Sequence, residues 1–493
     1  MKREYILSVD QSTSGTKVLL INSQGEVIHK KGASHEQYYP NPGWVEHDPI
    51  EIYENVKRLL KETINTVPNA KDVLKVLAVT NQRETIVVWD KESGIPVYNA
   101  IVWQCRRTSD ICKDLKELGY ESTVKSKTGL TLDPYFSATK VKWILENVDG
   151  VKEKAANGKL LLGTIDSWLI WKLTDGKVHA TDYTNASRTL LFNIHTLDWD
   201  EELLAVFSIN KSMLPQVKDS NANFGMVEDD DLLQLPISGV IGDSQGALFG
   251  QKCFEIGMAK ATYGTGTSVL LHTGNLVDAH NGLVTSIAWG IDSKIEYALE
   301  GIIHTSGDVM KWIKEDLGLF SDYNEVEKLA SSLTDNQGVY LIPAFVGLGA
   351  PYWDPYARAA IMGMSRNTTK AHIVRAGLES IAYQVKNVVE LMEKESHINI
   401  KELKVDGGAT KNSFLMQFQA DMLDTNVVAS NISELSAMGS GYLAGLGIGM
   451  WSSTDEISKL NRDNEIYRPL VSEKVRIKNY QGWQQSVSRV LVK

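Results

Sequence analysis

Short apolar strand-like runs alternate with amphipathic helix-like stretches along the whole chain, and this restricts it to an α/β architecture. The opening reads as a hairpin. Ile6–Val9 forms a strand, Gln11–Gly15 a hydroxyl-rich turn, and Lys17–Ile21 a second strand, before Ser23-Gln24-Gly25 turns the chain into Val27-Ile28. Pro49–Val67 is predicted to be helical, with Asp48 as cap, Pro49 in the first turn, and Tyr53, Val56, Leu60 and Ile64 on one face. Residues 371–394 carry the clearest helical stripe, Leu378, Ile381, Val385, Val388 and Met392. Residues 435–450 are apolar but punctuated by Gly439, Gly441, Gly445, Gly447 and Gly449. Glycine weakens a helix, so close helix packing is the expected compensation.

The opening hairpin has an echo. Val9-Asp10-Gln11-Ser12-Thr13-Ser14-Gly15 leads into an apolar strand, and so does Thr262-Tyr263-Gly264-Thr265-Gly266-Thr267. A length of 493 residues allows two to four domains. The echo divides the chain into comparable halves, 1–250 and 251–493, with no low-complexity linker between them.

Other classes recede. The net charge is -10 and no Lys/Arg block occurs, so a nucleic-acid partner is not expected. Three cysteines, Cys105, Cys112 and Cys253, form no Cys-x-x-Cys pair, which argues against disulfides and zinc. Met1-Lys2-Arg3-Glu4 runs straight into a strand with an acid at Asp10, unlike a signal peptide, and no 18-residue apolar stretch exists. A cytoplasmic protein without membrane insertion is expected.

Neither a Walker A pattern nor a strand-linked G-x-G-x-x-G is present. Phosphate can also be held by tight turns of small residues whose amides converge. Three turns qualify. Asp10–Lys17 combines an acid suited to hydrated Mg²⁺ with a lysine suited to phosphate, although an ordinary hairpin with a capping Asp is the simpler reading. Tyr263–Ser268 is Gly-rich and unspecific. Leu403–Asn412 ends a strand in Asp-Gly-Gly before a helix near Ser413, fitting either a nucleotide or a plain left-handed turn. Two further segments suit a polar small molecule. Asn81-Gln82-Arg83-Glu84 follows a strand at the end where open sheets bind ligands, and equally suits a solvated charge pair. Asp243 lies between a strand and a helix, where a general base could sit, but position alone favours a helix N-cap.

Taken together, these segments resemble the FGGY carbohydrate kinase family, its glycerol-kinase branch most closely, nearly end to end. The most specific stretches are Tyr39–Pro49, Thr80–Thr85, Ile101–Arg107, Asp182–Thr189 and Gly347–Pro355. The resemblance implies two actin-like, ribonuclease H-type domains flanking an ATP cleft that closes on substrate. It implies ATP- and Mg²⁺-dependent phosphorylation of a small polyol, glycerol to sn-glycerol 3-phosphate first among the candidates, and a homo-oligomer, dimer or tetramer. By position, Arg83, Glu84, Trp103, Tyr135, Asp243 and Ser244 correspond to the polyol site, with Asp243 as catalytic base. Thr13, Ser14, Gly15 and Lys17 correspond to the phosphate turn, and Asp10 to the acid at the metal–nucleotide. Thr265 and Gly266 correspond to a second phosphate turn, and Gly307, Lys311, Gly408 and Asn412 to nucleotide contacts. The first half thus carries the polyol site and base, the second most of the adenine nucleotide site.

The chain also departs from that branch. Ser12, Gly15 and Lys17 stand where it has Gly, Ser and Arg, and Lys311 where it has Gln. Ser244 and Ser268 replace a Gln and a Phe that touch glycerol in relatives. A roomier pocket for a longer polyol or a ketose is one alternative expectation. A non-catalytic actin-like nucleotide-binding regulator is another, although it needs neither Asp243 nor Arg83-Glu84.

Overall fold

The computed structural model describes residues 4–461 and 463–492; Met1–Arg3, where the leader expectation partly falls, lie outside them. The chain forms two compact units. One comprises residues up to Lys252 with Ser286–Tyr297 and Glu434–Asn461; the other comprises Cys253–Thr285, Ala298–Ser433 and the C-terminal residues.

The first unit is built on β1 (Tyr5–Ser12), β2 (Gly15–Asn22), β3 (Val27–Ser34), β4 (Leu74–Asn81) and β5 (Ile237–Gly242). Their order is β5-β4-β1-β2-β3. The β1–β2 pair is antiparallel, closing at Ser12 opposite Gly15, while β1–β4 and β4–β5 are parallel. The other large sheet is formed by β6 (Met258–Tyr263), β7 (Thr267–Gly274), β8 (Val284–Ile291), β9 (Lys294–Ile303), β10 (Glu402–Gly407), β11 (Val427–Ser430) and β12 (Asn464–Tyr467), in the order β8-β9-β7-β6-β10-β11-β12. Here β6–β7 is antiparallel, and β6–β10 and β10–β11 are parallel. Five strands therefore repeat one order: β3-β2-β1-β4-β5 corresponds to β9-β7-β6-β10-β11. The echo seen in the hairpin sequences extends to a shared topology.

Helix α1 (Pro49–Ile64) begins as expected, Asp48 Oδ1 accepting the Ile50 amide at 2.8 Å. Helix α2 (Ser137–Asn147) and the single turn α3 (Tyr183–Ala186) belong to the first unit. Helix α4 (Asp243–Gly250) follows β5 directly. In the second unit, α5 (Gly307–Glu315) and α6 (Lys370–Ser396) precede α7 (Ser413–Leu423). All five residues of the α6 stripe are buried. Helix α8 (Leu435–Gly447) returns to the first unit. Gly439 acts as expected: a Cβ there would stand 1.9 Å from the Gly246 carbonyl of α4, and one on Gly250 of α4 2.0 Å from that of Leu435, whereas Gly449 lies past the helix with open space at its Cβ position. Only bare backbones allow α4 and α8 to approach this closely. Among the described residues no helix is long and apolar enough to cross a membrane.

Candidate functional site

In the first unit, the carboxyl ends of three parallel strands converge. Asp10 on β1 is level with Thr80 on β4, and Gly242 on β5 with Asn81. This is the edge at which open α/β sheets present ligand-binding groups. The chain leaves β4 through Arg83 and Glu84, which adopt φ of 26° and 47°. Left-handed backbone at two bulky residues is costly and persists only where the surroundings enforce it.

Neither residue is the solvated turn pair that the residues alone allow. Arg83 is 4% exposed and Glu84 1%. Arg83 Nε lies 3.2 Å from Asp243 Oδ1 and 3.8 Å from Glu84 Oε1. Glu84 Oε1 also accepts from Arg188 Nε at 2.5 Å. The capping role that position favours for Asp243 is not what forms. Gly242 is the N-cap of α4, without a side-chain cap bond, and Asp243 is the first helical residue. Its carboxylate accepts from the Ser244 amide at 2.6 Å and otherwise faces Arg83. A charged partner nearby outcompetes the local cap.

Beside this cluster, the rings of Trp103 and Tyr135 lie 5.3 Å apart at 58°. Tyr135 is held from beneath. The ammonium of the fully buried Lys140, on α2, donates to the carbonyls of Pro134, Tyr135 and Phe136. Burial lowers its pKa to about 8, and the charges of Cys105 and Glu84 oppose that shift. The Arg188 guanidinium lies 5.8 Å from the Tyr135 ring and 5.1 Å from Phe136. Two aromatic faces beside an Arg–Glu–Asp cluster suit a small molecule with a carbon face and several hydroxyls.

The phosphate-turn candidates adjoin it. Trp103 Nε1 donates to Thr13 Oγ1 at 2.9 Å, and Gln37 Nε2 to the Thr13 carbonyl at 2.9 Å. Ser14 is exposed at the tip. A Cβ on Gly15 would stand 2.5 Å from the Ala33 carbonyl, so the β2–β3 pairing itself requires glycine there. Lys17 is directly across the ladder from Asp10, and its Nζ lies 3.7 Å from Glu434 Oε1. Asp10 is surrounded by protein although solvent reaches part of its surface. Burial, then the charge of Asp243, pushes its carboxyl up to about 7; Lys17 pulls the other way. Such an acid is short of positive charge. No group of three or more His, Cys, Asp or Glu side chains among the described residues is arranged to hold a metal ion.

The second unit presents its own turn. Gly264 and Thr265 carbonyls accept the amides of Gly307, at 3.0 Å, and Ser306, at 2.8 Å, which seats the start of α5 against the β6–β7 turn. Thr265 is exposed and Gly266 half-buried. Gly407, paired with Tyr263, takes φ 101°, and a Cβ there would meet the Tyr263 carbonyl at 2.2 Å. Gly408 opens the following 3₁₀ turn with open space at its Cβ position. Asn412 caps α7, its Oδ1 accepting the Leu415 amide at 2.9 Å. Lys311 is exposed on α5, 3.8 Å from Glu315. Ser268 Oγ reaches Glu300 Oε1 at 3.3 Å. The structure thus brings Thr265, Gly266 and Gly307 together at one turn.

Sequence reasoning gave no role to Arg188, Lys140, Gln245, Thr184 or Glu434. All are polar residues with little or no exposure. Thr184 and Arg188 lie in the stretch Asp182–Thr189, whereas Lys140, Gln245 and Glu434 fall outside the family-specific stretches.

Two units with one strand order, each presenting a small-residue turn beside its first parallel strand, define an α/β protein of the actin-like sugar-kinase class. The chain belongs to the FGGY family of carbohydrate kinases, whose N-terminal domain matches residues 5–250 and whose C-terminal domain matches residues 259–448. It is 50% identical to glycerol kinase 2 of Thermotoga maritima over 490 residues, covering 99% of each chain. It is 51% identical to a glycerol kinase of Clostridium botulinum over 492 residues, 99% of this chain and 98% of the other. The crystal structure of Plasmodium falciparum glycerol kinase with ADP superposes with a TM-score of 0.95 at 39% identity, covering 100% of this chain and 99% of that one. A xylulose kinase from Lactobacillus acidophilus shares the fold, with a TM-score of 0.86 at 21% identity over 97% of this chain and 96% of that one.

Proposed function

We propose that the protein transfers the γ-phosphoryl group of ATP to glycerol, giving sn-glycerol 3-phosphate and ADP. The observation that carries this reading is the cluster of buried Arg83 and Glu84 with the partly exposed Asp243, beside Trp103 and Tyr135. The glycerol kinases at half identity over nearly the whole chain support the choice of substrate. Arg83 and Glu84 hold two hydroxyls, as donor and acceptor, while the rings of Trp103 and Tyr135 cover the carbon backbone. Asp243 accepts the proton of the attacking hydroxyl, whose own pKa is too high for it to ionise unaided. The phosphoryl group passes through a loose transition state, for which alignment and charge stabilisation suffice. Amides of the Thr13–Gly15 turn and the ammonium of Lys17 supply donors in the first half, residues 1–250. In 251–493 the Thr265-Gly266 turn and Gly307, with Lys311, Gly408 and Asn412, take the nucleotide.

Asp10 suits Mg²⁺, which this family of reactions brings in with the nucleotide. A single carboxylate with a raised pKa matches an ion that keeps most of its waters. When bound, the ion would neutralise phosphate charge. The three cysteines are buried and form no disulfide, which supports placement in a reducing compartment, the cytoplasm.

The test is ADP release from Mg·ATP with glycerol, erythritol, threitol and pentitols as acceptors. Strong dependence on glycerol is expected. Turnover with none of them would leave an actin-like nucleotide-binding regulator as the better description.

A further inference from the structure

We propose that Thr184 is a positioning residue for Asp243, anchored by the buried carboxylate of Asp182; this rests on reading Asp243 as the base. The amide of Gly242, the residue before Asp243, donates to Thr184 Oγ1 at 2.8 Å. Gly242 is the N-cap of α4, and no side chain caps the helix there. The hydroxyl of Thr184 is thus the group that grips the backbone at the point where the base leaves the sheet.

The direction of the bonds follows from chemistry. An amide only donates and a carboxylate only accepts, so the single hydroxyl proton of Thr184 goes to Asp182, 2.8 Å away, and its lone pair to Gly242. A hydroxyl that donates to an anion is a stronger acceptor in turn. Asp182 is itself fixed. It caps α3 by accepting the amides of Thr184 and Asn185, and also accepts from Ser220 Oγ at 2.8 Å. Asp182, Thr184, Asn185 and Ser220 are all buried. Such a network has few alternative arrangements, because each broken bond would leave a buried polar group unpaired.

A second observation shows why displacement of Gly242 matters. A Cβ at Gly242 would stand 2.7 Å from Arg83 Cγ, so backbone and Arg83 side chain are already in contact. A shift of the backbone would move Asp243 and push on its guanidinium partner together. Catalysis that depends on alignment is sensitive to displacements of that scale.

The test compares Thr184→Val, which keeps the shape and removes the hydroxyl, with Thr184→Ser, which restores it. Turnover is expressed per folded site, counted by calorimetric ADP binding, and Thr184→Ala is the second hydroxyl-free variant should valine not fold. A fall in kcat of about 10- to 100-fold is expected for T184V with KM for glycerol and ATP little changed, and recovery in T184S. On an Asp243→Asn background T184V is expected to add almost no further loss, because the group it positions is gone. Near-parental kcat in T184V, equal losses in T184S, or an undiminished further loss on the D243N background would overturn the inference. Full turnover by D243N alone would instead overturn the base assignment and remove the premise.

Discussion

Arg83 Nε stands 3.2 Å from Asp243 Oδ1 while the same guanidinium donates through Nη1 to Gln245 Oε1 at 3.2 Å. One buried cation therefore ties down two residues of the first turn of α4. A planar fork is needed for this, which an ammonium lacks. Arg83→Lys is expected to lower kcat/KM for glycerol about 100-fold, with KM for ATP changed far less. Steady-state kinetics with each substrate varied in turn checks the split.

Lys140 sets the position of Tyr135 without reaching the site itself. Lys140→Met would leave three carbonyls without their shared donor. A loss of about 1–3 kcal/mol in stability is expected, with a raised KM for glycerol and a nearly unchanged KM for ATP. Denaturant unfolding together with the two KM values measures both effects.

Asp166 gives the protein a pH-dependent weakness. Its burial, and then the charge of Asp182, raise its carboxyl from 3.8 to about 7. Between those values the folded state holds a proton that the unfolded chain has released. Stability therefore falls as pH rises through the window, and the full cost is present above it. Asp166→Asn removes the titrating group. The Tm difference, variant minus parent, is expected to grow between about pH 4 and about pH 7 and to level off above. A constant difference in thermal denaturation across that range would contradict this.

Ser244 bears on substrate choice. Its backbone amide is fixed on Asp243, and its side chain is small where the family resemblance leads to an expected glutamine. Ser244→Gln is expected to lower kcat/KM for four- and five-carbon polyols relative to glycerol. The ratio across the acceptor panel, parent against variant, reads this directly.

Much of the fold was legible because its signals are local. Asp48-Pro49 marks the start of α1 with a cap and a proline, and the α6 stripe shows its buried face by period alone. The opening hairpin was legible too, although its strands run further than the apolar residues, since ladder pairing carries β1 to Ser12. Asp243 was read less well from position. An acid between strand and helix looks like an N-cap until Arg83, 160 residues earlier in the chain, is brought beside it. The family resemblance implies a base at Asp243 where local reasoning preferred the cap. Arg188 and Thr184 were out of reach for the same reason: each works through a partner distant in sequence, and neither composition nor periodicity records such pairs.

The most direct test of phosphoryl transfer to glycerol with Asp243 as base is the Asp243→Asn variant, assayed for glycerol-dependent ADP release alongside calorimetric glycerol and ADP binding. Turnover reduced by about 10²- to 10⁴-fold with ADP binding and thermal unfolding preserved is the expected result. Near-normal turnover in that folded, nucleotide-binding variant would contradict it.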